Sequence, residues 1–405
     1  MKLAIEGGKP IRHKRISSWP HFEDDEISAV ARILRSGKVN QWTGNECEKF
    51  SSDFAKYLGI TYCVPLVNGT AALEVACRIL GIGKGDEVIV SPRSFIASAT
   101  CVATVGALPI FVDIERDSGN VDPQKVRSAI TKKTRAIIAV HLAGWPCKLD
   151  LLQEICQRHN LYLIEDCAQA LGSKYKNRFV GTWGDAATFS FCQDKIVTTG
   201  GEGGMLVVKN KKYYEKAWSY KDHGKNREKA LKKHNTYSFK WLHDSLGTNL
   251  RMTEIQAAIG RAQLKKLDIW IAKRRKIARI FNTTFSTYPS LRVTIPPRYV
   301  FHSYYKYYVY LRLEKLKRGW SKEKVLEAIN REGIPAFYGS CSEIYREHVW
   351  RIIPEVKRSI PKKPLPVARE LGETAVLFLV HPTLSDRDID DTVKGITRVL
   401  DAVTL

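Results

Sequence analysis

Between Glu87 and Val208 the chain alternates short β-branched runs with helix-like stretches, and few folds accommodate that order. Glu87–Val90, Pro109–Asp113, Ala136–His141, Tyr162–Asp166, Thr188–Phe191 and Met205–Val208 read as strands. Pro123–Ile130 and Leu151–Gln157 read as amphipathic helices between them. Strands that alternate with helices build a mostly parallel sheet covered on both faces, an α/β architecture. In such sheets ligands collect at the carboxyl ends of the strands. His141, Asp166 and Ser190 all fall at or near those ends.

The flanking sequence extends this plan. A chain of 405 residues is too long for one small core, so two domains are expected. Val67 to Leu73 opens a helix that runs to about Leu80. Ser245–Trp270 reads as a helix entered through Gly247-Thr248-Asn249, followed by a basic helix to about Tyr288. Beyond it the composition changes: Tyr304–Leu313 is a tyrosine-rich strand, and Ser321–Glu332 and Asp386–Ala402 are amphipathic helices. The expectation is a large α/β domain over residues 1–250, then a small α+β domain over 251–405 that includes the linking helix. There is no internal repeat and no low-complexity linker.

Composition narrows the functional classes. Hydrophobic residues make up 44% and charged residues 26%, ordinary for a soluble globular protein. No apolar run approaches the ~18–20 residues of a membrane helix, and Met1–Pro10 lacks the apolar region of a signal peptide. Nine cysteines with no Cys-x-x-Cys spacing point to reduced thiols in the cytoplasm and to no metal site. The formal charge of +23 is concentrated in Lys209–Lys233 and in the run from Lys265 to Arg279. Charge of this kind fits a solvated surface or an anionic small molecule. No nucleic-acid motif accompanies it, so neither nucleic acid nor a membrane is an expected partner.

The chemistry centres on Lys195, in Phe189-Ser190-Phe191 … Lys195 … Gly200-Gly201-Glu202-Gly203-Gly204. Lysine forms Schiff bases with aldehydes, pyridoxal phosphate among them, and then serves as acid and base. One lysine among 65 Lys and Arg residues says little by itself. Asp166, at the end of a strand, can keep a pyridine nitrogen protonated so that the ring stabilises a carbanion; alone, an acidic pair such as Glu165-Asp166 is equally a cap or a surface pair. Gly69-Thr70-Ala71 at a helix start, with Ser190, can hold a phosphate, although a plain helix start and a plain strand serine look the same. Phe95 can stack on a ring face or can simply be a core aromatic.

In order, Gly69-Thr70-Ala71-Ala72-Leu73, Ser94-Phe95-Ile96-Ala97-Ser98-Ala99, Glu165-Asp166-Cys167-Ala168-Gln169-Ala170-Leu171-Gly172 and the Lys195 segment resemble the DegT/DnrJ/EryC1/StrS sugar aminotransferases. Val140-His141-Leu142-Ala143-Gly144 and Asn249 through Gly260 continue the resemblance, which spans nearly the whole chain. It implies the aspartate-aminotransferase fold type I, pyridoxal 5'-phosphate, and a homodimer with active sites at the subunit interface. By the same resemblance Lys195 is catalytic, Asp166 meets the pyridinium nitrogen and Gln169 lies near the ring hydroxyl. Gly69, Thr70, Ala71 and Ser190 surround the phosphate, Phe95 flanks the ring, and Asn249 reaches the phosphate from the partner subunit. Some relatives carry histidine at the lysine position and dehydrate their substrates; Lys195 favours transamination. Cys192-Gln193-Asp194 departs from the small or histidine-containing residues usual there.

The resemblance implies glutamate or glutamine as amino donor and a keto-sugar as acceptor. Trp218 to Gly224, Trp241 to Asp244 and Tyr338 to Tyr345 are similar to a subgroup that aminates C8 of a Kdo-type octulosonate, giving 8-amino-3,8-dideoxy-octulosonate (Kdo8N) for lipopolysaccharide. Nucleotide-sugar and cyclitol aminotransferases of the same family, and a dehydratase-like relative, are the alternatives. Asn40, Gln41, Trp42, Lys221, His223 and His302 are the candidate substrate contacts.

Overall fold

The computed structural model describes residues 2–232, 241–357 and 359–405, so Lys233 at the end of the basic run lies outside the described residues. Its strands form three sheets and are numbered along the chain. The main sheet contains β1 (Tyr62–Leu66), β2 (Glu87–Val90), β3 (Leu108–Phe111), β4 (Thr134–Val140), β5 (Tyr162–Asp166), β8 (Ala186–Ser190) and β9 (Gly204–Val208). A small sheet joins β6 (Lys174–Tyr175), β7 (Arg178–Phe179) and β11 (Val300–Phe301). The third contains β10 (Leu291–Val293), β12 (Tyr307–Leu311), β13 (Ala336–Phe337) and β14 (Ala375–Phe378).

The main sheet has the order β1-β9-β8-β5-β4-β2-β3. β3, β2, β4, β5 and β8 pair in parallel, and β9 runs antiparallel between β8 and β1. All six expected strands of this region are present; Glu87–Val90 and Tyr162–Asp166 have the expected bounds, and the other four have shifted ends. β3 spans Leu108–Phe111 because it pairs residue for residue with Glu87–Val90. Asp113 then leaves the ladder, and its carboxylate accepts the amides of Ile114, Val367 and Ala368. β4 starts earlier than expected and stops one residue before His141.

Alternation along β4 shows why both faces are covered. Ile137 and Ala139 enter a core with Phe50, Phe54 and Phe189, while Ala136, Ile138 and Val140 enter another with Val64, Leu73 and Leu206. Each large aliphatic or aromatic side chain buried this way contributes roughly 1.5–3 kcal/mol. No helix among the described residues is long and apolar enough to cross a membrane.

The expected helix start at Ser245 is corrected by the structure: the helix spans Glu254–Phe285, 32 residues without a break. Thr253 and Gln256 form its capping box, each side chain accepting the other's backbone amide. Upstream, Asn249 and Arg251 are instead held in extended bridges to Asp222 and Leu66. The first half of this helix sends Ala257, Leu264 and Ile271 into the core of Ile137, and the second half sends Ile277, Phe281 and Phe285 into a third core. That third core is built on β12 and β14 with the helices Lys322–Arg331 and Asp386–Val403, and it also takes in Leu3 from the N-terminus.

Candidate active site

The parallel strands deliver their carboxyl-end loops to one edge of the main sheet. Adjacent residues on a strand face opposite ways, and β5 uses this to give its last two acids different jobs. Glu165 accepts the amides of Gly181, Trp183 and Gly184 and lies 3.1 Å from His141 Nε2. The Cys147 amide donates to His141 Nδ1, so Nε2 carries the proton and donates to Glu165. Burial alone would raise the Glu165 carboxyl; His141 and the backbone amides outweigh it and hold it below the ordinary range. His141 is therefore a brace between β4 and β5.

Asp166, 4% exposed, faces the other way. Ser98 Oγ donates to its Oδ2 at 2.7 Å, the Ala168 amide donates to Oδ1 at 3.1 Å, and Ser94 Oγ lies 2.7 Å from Ser98 Oγ. Gln169 accepts the Ala143 amide at 2.8 Å, which fixes a backbone turn where Ala143 adopts φ 57°. Two residues before Ser98's helical turn, Phe95 stands 68% exposed at the end of the β2 loop.

The helix Gly69–Ile79 starts against the end of β8. A Cβ on Gly69 would lie 2.7 Å from the Cβ of Ser190, so only glycine permits this approach. Asn68 caps the helix by accepting the Ala71 amide at 2.8 Å, while Thr70 is exposed at the first turn. First-turn amides have no acceptor within the helix and present a positive dipole end.

Lys195 lies on the β8–β9 loop, with its backbone carbonyl accepting Trp19 Nε1 at 2.9 Å. Its Nζ is 3.5 Å from Tyr305 Oη and 4.8 Å from the centre of the Tyr305 ring. Tyr305 donates a short hydrogen bond to Asp194, and Lys306 Nζ is 3.4 Å from the same carboxylate. Burial would raise Asp194, but the charge of Lys195, the Tyr305 hydroxyl and Lys306 together hold it low. Tyr305, Lys306 and Trp19 were missed by sequence reasoning. The tyrosine-rich run Tyr304–Tyr310 was the available signal, but Lys195 and Tyr305 are 110 positions apart and nothing local links them.

The candidate substrate residues assemble elsewhere. Trp42 Nε1 donates to Asp222 at 2.7 Å, and Arg251 and Lys225 pair with that carboxylate at 2.6 and 3.1 Å. Lys221, 2% exposed, donates to Gln41 at 2.8 Å. Burial lowers the Lys221 ammonium to about 8, against the raising influence of Cys47 and Asp222. Asn249 pairs its backbone with Asp222, Asn40 pairs with Thr253, and exposed His223 sits at φ 61° with its amide donating to Thr248. His302 joins neither group. It is buried, stacked 3.8 Å from the Tyr304 ring, and accepts the Tyr304 amide at 2.8 Å. Burial and the charge of Arg275 push it well below the ordinary histidine range. All nine cysteines are free thiols.

Known proteins share this fold. An aminotransferase structure from Psychrobacter cryohalolentis superposes with a TM-score of 0.92 at 44% identity, covering 96% of this chain and 99% of that one. GDP-perosamine synthase of Escherichia coli O157:H7 is 36% identical over 91% of this chain and 94% of its own length. L-glutamine:2-deoxy-scyllo-inosose aminotransferase of Streptoalloteichus tenebrarius is 32% identical over 98% and 97%. Fold and relatives together define a pyridoxal-phosphate-dependent aminotransferase. More narrowly, residues 20–397 match the DegT/DnrJ/EryC1/StrS aminotransferase family, and the chain belongs to it.

Proposed function

We propose that the protein moves an amino group from glutamate or glutamine onto the 8-keto form of a Kdo-type octulosonate, in the cytoplasm, for surface-glycan synthesis. The observation that carries the transfer chemistry is Lys195 on the loop after β8, together with the buried Asp166 at the end of β5. The choice of octulosonate is supported by the segments Trp218–Gly224, Trp241–Asp244 and Tyr338–Tyr345. Trp218 packs edge-on against Trp42, with ring centres 5.9 Å apart.

The residues present fit pyridoxal 5'-phosphate. Asp166 is an acceptor-only carboxylate, oriented by Ser98 and the Ala168 amide, that would hold the ring nitrogen. Gly69, Thr70, Ala71 and Ser190 form a cradle that a side chain at position 69 would fill, and these residues would hold the phosphate at a helix start. Phe95 would cover the ring and Gln169 would lie near its hydroxyl. When bound, the group supplies an electron-withdrawing ring that stabilises negative charge on the carbon being aminated. Lys195 Nζ then moves the proton to and from that carbon. Asn249, exposed on one copy, would reach the phosphate of a second, making the working enzyme a homodimer with shared sites.

A second reading keeps this chemistry and changes the acceptor to a nucleotide-linked sugar or a cyclitol ketone, as the perosamine and inosose relatives favour. A dehydratase-like activity is the alternative that Lys195 opposes. The test converts the enzyme to its amine form with glutamate, removes the amino acid, and offers each keto compound in turn. The 8-keto octulosonate is expected to restore the visible cofactor band. Restoration only by a GDP-linked keto-sugar or by an inosose would replace the acceptor named here.

A further inference from the structure

Behind Tyr305, whose hydroxyl faces Lys195, lies a cavity of ≈ 460 Å³ lined by Arg15, Trp19, Asp194, Arg274, Tyr305 and Lys306, among others; Lys195 itself does not line it. Two of its lining residues touch the lysine: Trp19 donates to the Lys195 backbone carbonyl, and Tyr305 Oη lies 3.5 Å from Lys195 Nζ. Arg274 is 1% exposed. Its Nη1 donates to the carbonyls of Tyr304 and Tyr305 at 3.4 and 3.2 Å, and its guanidinium lies 5.3 Å from the Trp19 ring centre. Its Nε and Nη2 are buried with no hydrogen-bond partner among the described residues. Those two nitrogens form one edge of the guanidinium, the edge that meets an oxyanion with two parallel hydrogen bonds.

The charge of the wall points the same way. Asp194 is the one carboxylate among the six lining residues named, and it already serves Tyr305 and Lys306. Three cations, Arg15, Arg274 and Lys306, share the lining with it. His381 also lines the cavity, and burial together with the charges of Arg274 and Lys306 lowers it to about 3, so it adds no charge at neutral pH. Buried cationic donors left unpaired are costly unless a ligand meets them.

We propose that this cavity seats the acceptor beside Lys195, and that Arg274 and Lys306 bind its anionic group, the carboxylate of a sugar acid or the diphosphate of a nucleotide-linked sugar. The proposal rests on the aminotransferase reading of Lys195 and moves the anion contact away from Lys221, His223 and His302. It makes a negative charge on the acceptor a condition for binding, which a neutral cyclitol does not meet.

The test is calorimetric binding to the holoenzyme of 3-deoxy-octulosonate, its methyl ester, GDP and a neutral inositol. Arg274 also anchors two backbone carbonyls, so its replacement risks unfolding the region and Lys306→Gln is the decisive variant. Octulosonate is expected to bind, to lose about ten- to a hundredfold in affinity in Lys306→Gln, and to bind far better than its ester. If GDP shows that dependence and octulosonate does not bind, the anion site stands and the sugar-acid acceptor is replaced by a nucleotide-linked one. If neither anion responds to Lys306→Gln, or inositol binds as tightly as both, the cavity assignment is overturned. An unchanged visible cofactor band in that variant would leave the aminotransferase reading untouched.

Discussion

The strand-end group around Asp166 and Lys195 and the polar group around Asp222 are both dense, but they differ in what completes them. At the strand ends the supporting bonds are internal: Ser98 and the Ala168 amide orient Asp166, and Gly69 seats a helix start on Ser190. Around Asp222 the charges are also satisfied internally, by Trp42, Lys225 and Arg251. Yet Asn249, His223 and Asn40 project from it exposed. Backbone joins the two groups, since Val67 donates to the Leu250 carbonyl just before the Asn68 cap. One group is braced from within at the strand ends. The other holds exposed side chains, as the proposed site shared between two copies requires.

Removing Lys195 is the largest perturbation this comparison predicts. Lys195→Ala should abolish the lysine-bound cofactor band and lower transamination on the order of 10⁴-fold or more, as for loss of a covalent catalyst. Absorbance and stopped-flow turnover read it. A variant that aminates a keto-sugar at the parent rate would remove Lys195 from the chemistry. Asn249→Ala tests the other group. By itself it should weaken cofactor retention, and mixing it with Lys195→Ala should restore activity, because one of the two sites in a hybrid dimer then has both residues intact. Complementation to about a quarter of the parent rate follows from random pairing into dimers. No recovery on mixing would mean that Asn249 serves its own chain or none.

Gly69→Ala is a smaller change at the strand ends. Its new methyl would meet the Ser190 Cβ at 2.7 Å, and overpacking of this kind costs about 1–3 kcal/mol. A lower melting temperature and faster loss of cofactor are expected. Ser190→Gly in the same chain should recover the melting temperature, because it removes the atom that clashes; a double variant as unstable as Gly69→Ala would show that the close approach is not the cause.

How much of this was legible in the sequence follows from distance along the chain. The strands β2, β3, β4, β5, β8 and β9 announced themselves by β-branched runs, and Asp166, Gln169 and Ser190 sat in motifs a few residues long. The start of the long helix was misplaced because Gly247-Thr248-Asn249 looks like a cap, while the true signal was the Thr253–Gln256 pair four residues later. His302 stands apart from the other candidates for a different reason. A polar side chain beside tyrosines looks available in sequence, but stacking on Tyr304 and a bond to its amide bury it. Pairings such as Tyr305 with Lys195, or Arg274 with Trp19, depend on two cores meeting along one helix and leave no local trace.

Lys221 gives the most delicate separation of the two groups, because its effect is a pH dependence. Its ammonium is buried with an amide partner, Gln41, and burial lowers it to about 8, against ~10.4 for an unfolded lysine. A depressed lysine behaves opposite to one gaining a carboxylate partner. Below pH ~8 both states hold the proton and the folded state carries the full desolvation penalty; between ~8 and ~10.4 the unfolded state binds more protons, so stability rises with pH. Lys221→Met removes that group, and the parent should therefore gain on the variant by on the order of 1–2 kcal/mol between about pH 8 and pH 10. Denaturant unfolding of both proteins across that window measures the difference. A gap that stays constant with pH would mean Lys221 keeps its proton when folded, held by a negative charge near it, and the Asp222 group would then be an ion-pair network through and through.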